Sequence, residues 1–300
     1  MQGWRACVFL WAGVLVALVA ARADPIPSPQ QTAQTELGRY LFYDANLSQD
    51  GSMSCATCHE QKHAFADGNK THPGVTDDAG IRNVPSLANV GSFHTLTWLD
   101  QHLTTLEQQF FVPVFGHTPV EMGMINRQEM VVRVAGKACY KALFAKAFPD
   151  QSPYISSKTI AQAVAAFERT LVSRQAVWDL PDHGQSRQSE TQKMGATLFF
   201  GKAHCSRCHA PPLFTDQKFY RLLATDRTRI RTPSLRNIQV TAPYFHDGSA
   251  STLKEAISAH GSVHNLTEQE MNNLTDFLQL LTDRTFLTNP AFSLPAQECR

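Results

Sequence analysis

The sequence predicts a mostly α-helical protein of two units related by internal duplication, with long connecting loops. Three observations carry that reading. The pattern C-x-x-C-H occurs twice, in "SMSCATCHE" (52–60) and in "HCSRCHA" (204–210). The flanks repeat with it: "ELGRYLFYD" and "KMGATLFFG" precede the two copies, and "NVPSLANV" (83–90) and "RTPSLRNI" (231–238) follow at similar distances. Self-similarity at that spacing marks a repeated structural unit. Helical periodicity is clear along the chain, whereas strand signals are weak.

Composition narrows the classes of function. The chain has 300 residues, enough for one large or two ordinary domains, and a formal net charge of +1. A nucleic-acid binder needs a basic face that this balance does not supply. The first residues, "MQGWRACVFLWAGVLVALVAARADPIP", begin with Arg5, continue apolar to Ala20 and end in Ala21-Arg22-Ala23. That is the pattern of a secretory signal over 1–23. The alternative is an uncleaved anchor, but the apolar run is short for a membrane span. Cleavage after Ala23 leaves 25 basic against 26 acidic residues, and no later segment reads as a span. Export implies an oxidising compartment, a bacterial periplasm. There a disulfide between Cys139 and Cys299 is permitted, although two separate thiols fit the sequence equally.

The first unit is expected over 24–178. A short amphipathic helix, "ELGRYLFYD", leads into its motif. The unit ends near "ISSKTIAQAVAAFERTLVS", in which Ile160, Val164, Phe167 and Leu171 share a helical face. The polar stretch "DLPDHGQSRQSE" (179–190) contains Pro and Gly and marks the boundary. The second unit, 179–300, opens with the helix "KMGATLFFG". In "STLKEAISAHG", Thr252 and Glu255 form a capping box, and Leu253, Ile257 and His260 fall on one face. In "LTEQEMNNLTDFLQLLT", Thr267 and Glu270 form another box, and Met271, Leu274, Leu278 and Leu281 form a stripe.

C-x-x-C-H is the attachment signature of c-type haem: the thiols form thioethers with the vinyl groups, and the histidine ligates the iron. The competing readings are a redox dithiol or half a zinc site. Two copies, both with His, in an exported chain favour two covalent haems. Cys55, Cys58 and His59 hold one, and Cys205, Cys208 and His209 hold the other. The opposite face of each iron then decides between electron transfer and reaction with an oxidant. His246, His260, His264 and Met271 are the candidate sixth ligands after Cys208. His63, His94, His102, His117, His183 and His204 read as structural or solvent-facing.

With both motifs, "RTPSLRNIQVTAPYFHDGSASTLKEA" resembles the bacterial dihaem cytochrome c peroxidase and MauG family, over Glu36 to Leu281. "SLANVGSFHTLTW" and "LEQQFFVPVFGHTPVEMG" look most like its MbnH-like, methanobactin-associated branch. The resemblance implies two cytochrome c-like domains. The N-terminal haem reacts with hydrogen peroxide, the C-terminal haem transfers electrons, and a calcium ion and a tryptophan lie between them. Trp98 matches that tryptophan. Gln109, Pro113 and Glu121 match residues lining the peroxide pocket. Asn83, Thr241 and Pro243 match calcium positions, the last two through backbone carbonyls.

Two departures from the family pattern follow. The family closes its C-terminal haem with Met or Tyr; here His260 occupies that position, implying a bis-histidine haem. Some members close the N-terminal haem with a loop histidine; here, in "DGNKTHPGVTDDAG", Val75 takes that place and His72 lies three residues away. An open N-terminal haem is therefore expected. Glu121 is then the general acid-base for peroxide cleavage, Gln109 a hydrogen-bonding partner for peroxide, and Trp98 the electron relay. The reading that follows is a periplasmic oxidoreductase of MauG type, oxidising aromatic residues on a partner protein. One alternative is a peroxidase fed by a small cytochrome or cupredoxin. The alternative from another class is a plain dihaem electron carrier.

Overall fold

The computed structural model describes residues 27–222, 227–263, 265–297 and 299. The expected signal (1–23) and His264 lie outside them. Among the described residues ten α-helices carry the fold, and the strands β1 (Phe219–Tyr220) and β2 (Ile230–Arg231) pair antiparallel with Phe219 opposite Arg231. Among the described residues no helix is long and apolar enough to cross a membrane.

The first unit is built on α1 (Pro29–Phe42) and α6 (Ser157–Glu168). Ser28 caps α1 through the Gln31 N–H, and Pro29 stands at N1, where its missing N–H costs nothing. Leu37, Leu41 and Phe42 face α6, whose Ile160, Val164 and Phe167 are fully buried, as is Leu171 just beyond it. Between the two helices in sequence come α2 (Cys55–Cys58), α3 (Leu106–Phe115), α4 (Arg127–Ala135) and α5 (Ala138–Ala147). The second unit pairs α7 (Glu190–Phe200) with α9 (Glu268–Gln279), with α8 (Leu253–Ser258) alongside. Its core gathers Trp178, Phe199, Phe214, Leu274, Phe277 and Leu281. Both sequence-expected capping boxes form: Thr252 with Glu255, and Thr267 with Glu270.

The repeated sequences make repeated contacts. Gly38 of α1 lies so close to α6 that a Cβ would fall 1.8 Å from the Ala163 carbonyl oxygen; Gly195 of α7 lies the same way, 2.0 Å from the Asn273 oxygen of α9. Within the Pro-Ser-Leu-x-Asn segments, Ser86 Oγ donates to Ala64 O and Ser234 Oγ donates to Leu213 O, both at 2.6 Å. Asn89 and Asn237 are both left-handed, and their N–H groups donate to Leu171 O and Leu281 O.

After α9 the chain leaves the second unit. Asp283 caps α10 (Arg284–Thr288), and Phe286, Phe292 and Cys299 enter the core of the first unit. Tyr43 Oη donates to Phe292 O at 2.7 Å, and Cys139 of α5 forms a disulfide with Cys299. That pairing decides between the two possibilities the sequence left open.

Candidate functional site: two C-x-x-C-H centres and the residues between them

The first motif folds as the single turn α2, with the Ser54 N–H donating to Thr57 Oγ1 at 2.9 Å. His59 follows, its N–H bonded to Cys55 O. Ala64 and Phe65 are left-handed, which turns the chain so that Phe65 O accepts from His59 Nδ1 at 2.6 Å. This bond fixes the tautomer and leaves Nε2 as the free ring nitrogen. Burial holds His59 below its ordinary value, so the imidazole is neutral, the form that ligates a metal.

The second motif repeats the arrangement. His209 N–H bonds Cys205 O, and its Nδ1 donates to Phe214 O and Pro233 O, each at 3.1 Å. Burial, with the nearby His260 acting in the same direction, lowers His209 to about 4. His260 sits just past α8, its Nδ1 donating to Ala256 O at 2.8 Å; burial lowers it too. Two neutral imidazoles, each with Nε2 unspent, thus lie near one another.

The thiols distinguish among the chemistries open to the motif. Burial pushes all four up, Cys58 to about 12 and Cys205 to about 11, and their charged neighbours are mainly acidic: Glu168 at Cys55, Glu121 and Asp67 at Cys58, Asp216 at Cys208. Redox dithiols need the reverse, an electropositive setting that stabilises thiolate. Among the described residues no group of three or more His, Cys, Asp or Glu converges on a metal position, whereas a structural zinc gathers four ligands. The donor set fits covalent haem at each motif.

Around the first centre, the segment after α3 returns along that helix: Met122 N–H donates to Pro113 O and Met124 N–H to Val114 O, both at 2.9 Å. Val75 N–H donates to Glu121 O at 2.9 Å, and Gly74 presses on Val120 O so closely that a Cβ would overlap it. The 68–80 loop and Glu121 are therefore one structure. Glu121 is exposed to solvent, yet desolvation raises its carboxyl and the charge on His72 opposes that rise. His72 donates from Nδ1 to Pro73 O and lies close enough to act on both Glu121 and His59. Gln109 is half-buried on α3, one turn before Pro113.

Trp98 is buried between the units. Its Nε1 donates to Asn83 O at 2.8 Å, and its own carbonyl accepts from Arg231 N–H at 2.9 Å. Asn83 N–H in turn donates to His246 O, three residues past Pro243, and its side-chain amide donates to Asn69 O. Two buried groups escaped the sequence reading. Glu168 at the end of α6 is raised to about 8 by burial. Arg231 is 3 % exposed. Neither sits in a motif that flags chemistry; only burial identifies them.

The fold and the two centres define a dihaem c-type oxidoreductase. Comparison with known proteins narrows that class. Residues 32–187 match the di-haem cytochrome c peroxidase family. The chain is 33% identical to the methylamine utilization protein MauG of Methylophilus methylotrophus, over 85% of this chain and 84% of that one. It is 29% identical to the cytochrome c551 peroxidase of Nitrosomonas europaea, over 96% and 90%. Among solved structures, a MauG-like protein associated with microbial copper homeostasis superposes with a TM-score of 0.83 at 34% identity, covering 96% of this chain and all of that one. The chain belongs to the dihaem cytochrome c peroxidase and MauG family and is an oxidoreductase of peroxidase type, and the family implies two c-type haems.

Proposed function

We propose that the protein reacts with hydrogen peroxide at the N-terminal centre and moves electrons through the C-terminal one, after export to the periplasm. The observation that carries this is the asymmetry of the two centres. The second has a pair of neutral histidines, His209 and His260, near one another. The first has His59, with the charge of Glu121 acting on the neighbouring Cys58. Two axial histidines suit electron transfer; one histidine and a carboxyl suit an oxidant.

Covalent haem supplies redox-active iron at both centres. The chain's residues do the rest. His59 and His209, oriented by carbonyls, would ligate the iron, and His260 would complete the second centre. Glu121, its carboxyl raised by its surroundings, takes a proton from the inner peroxide oxygen and returns it to the outer one. Gln109 orients peroxide by hydrogen bonding, and Pro113 holds the backbone against which Met122 is fixed. Trp98 bridges the units and relays electrons. Asn83, with the carbonyls of Thr241 and Pro243, would hold calcium.

Of the two enzyme readings, oxidation of aromatic residues on a partner protein is favoured. A bis-histidine second centre has a low potential, which fits poorly with accepting electrons from a high-potential cytochrome or cupredoxin. The test adds one equivalent of hydrogen peroxide to the fully ferric protein and follows both haems by optical and EPR spectroscopy. Both changing together without prior reduction supports the MauG-like reading. No change until one haem is reduced establishes the peroxidase reading instead, and turnover no faster than free haem leaves an electron carrier.

A further inference from the structure

Among the described residues Arg231 presents a charge without a counter-charge. Its residue is 3 % exposed, Nε donates to Thr97 O at 3.0 Å, and the guanidinium lies 5.4 Å from the Phe93 ring. Nη1 is buried and, among the described residues, has no hydrogen-bond partner. Among the described residues no carboxylate pairs with it. Burial alone lowers it, to about 10, so it stays protonated at neutral pH. A buried cation left unpaired is among the costliest features a fold can carry, and native proteins keep one where an anion is to be bound. The guanidinium fork matches a carboxylate in shape and charge.

Its place in the fold says which anion. Two residues on, Pro233 O accepts from His209 Nδ1. The Arg231 backbone N–H donates to the Trp98 carbonyl at 2.9 Å. Arg231 thus stands between the histidine of the second motif and the tryptophan that bridges the units. A haem attached through Cys205 and Cys208 keeps two propionate carboxylates as its free anionic groups. We propose that Arg231 binds a propionate carboxylate of the C-terminal haem through Nη1. It is a positioning residue: the side chain fixes the haem edge while its backbone fixes Trp98, so one residue sets the relation of relay to acceptor. The same positive charge offsets the negative propionate and favours the reduced iron.

This rests on the reading that the second motif carries haem, so the haem content of the wild-type holoprotein is measured first; fewer than two haems per chain overturns both. With two haems present, Arg231→Gln and Arg231→Lys are compared with wild type by potentiometric titration, following each haem by optical and EPR spectroscopy. Arg231→Gln is expected to lower the C-terminal midpoint enough to change the reduced-to-oxidised ratio about tenfold, about 59 mV for one electron. Arg231→Lys, which keeps the charge, is expected to recover most of it. An unchanged midpoint in Arg231→Gln, or a shift confined to the N-terminal haem, overturns the proposal. If Arg231→Gln does not fold, resonance Raman on Arg231→Lys decides: a displaced propionate bending band is expected, and an unchanged band overturns the contact.

Discussion

Glu121, His260 and Glu168 each hold a proton or a lone pair whose state the surroundings decide. At Glu121 the carboxyl is raised by desolvation, opposed by His72. Replacing it with Gln keeps the size and removes the proton acceptor. Glu121→Gln is therefore expected to slow the reaction with peroxide by about 10²–10⁴-fold, the usual worth of general acid-base catalysis, in stopped-flow measurements. An unaltered rate removes Glu121 from the mechanism. His260→Ala is expected to turn the second haem high-spin; a persistent low-spin EPR signal at that centre sinks the ligand assignment. Glu168 makes a stability prediction. Its folded value is raised from 4.5 to about 8, mainly by burial. The folded state keeps the proton where the unfolded state has released it. The stabilisation is complete below 4.5 and is lost as pH rises towards 8, by up to about 1.4 kcal/mol per unit. Denaturant melts at pH 5 and pH 8 should show a steeper fall for wild type than for Glu168→Gln. Equal slopes would show that Glu168 ionises without penalty.

Among these residues, legibility followed locality. Cys55, Cys58, His59, Cys205, Cys208 and His209 could be read directly, because haem attachment needs them within five positions. Trp98 and Glu121 emerged only through resemblance, since a tryptophan or a glutamate in a loop carries no signal of its own. Arg231 and Glu168 were illegible, because what distinguishes them is burial without a matching charge.

At the scale of elements, the two glycine crossings argue most. Gly38 and Gly195 each meet a backbone carbonyl oxygen, at 1.8 and 2.0 Å from an ideal Cβ, and a carbonyl in a helix cannot step aside as a side chain can. Gly38→Ala is therefore expected to push α1 off α6 and cost about 3 kcal/mol, despite alanine's better helix propensity. Gly195→Ala should act likewise on α7 and α9. Thermal melts of both variants check this; a gain in stability, the result for a solvent-facing helical glycine, would show that the helices do not cross so closely. These matched crossings, with the paired serine and asparagine contacts, support the reading of a duplicated unit. Periodicity revealed α6 and α9, whose apolar faces are wide. It did not reveal the left-handed turns at Phe65 and Phe214, whose carbonyls orient the two motif histidines; these conformations follow from tertiary contacts rather than local composition.

Taken whole, the molecule is stitched end to end. The second unit hands its last stretch back to the first: α10, Phe286 and Phe292 fill the first unit's core, and Cys299 closes on Cys139 across 160 residues. The loop so closed contains the whole second unit, including β2 and the Arg231 contact with Trp98. Cross-linking so long a loop restricts the unfolded chain most, and a stabilisation of roughly 2–4 kcal/mol is typical. Cys139→Ser with Cys299→Ser should lower the melting temperature by several degrees. The tail is held also by Tyr43 to Phe292 and by Gln61 to Asn289, at 2.7 and 2.9 Å, so it should stay docked in the double variant. Electron exchange between the haems should then be unchanged at temperatures well below the melt, because Trp98 keeps its bonds to Asn83 and Arg231 without the cross-link. Loss of interhaem exchange in a folded double variant would mean that the disulfide, and not these local bonds, sets how the two units meet.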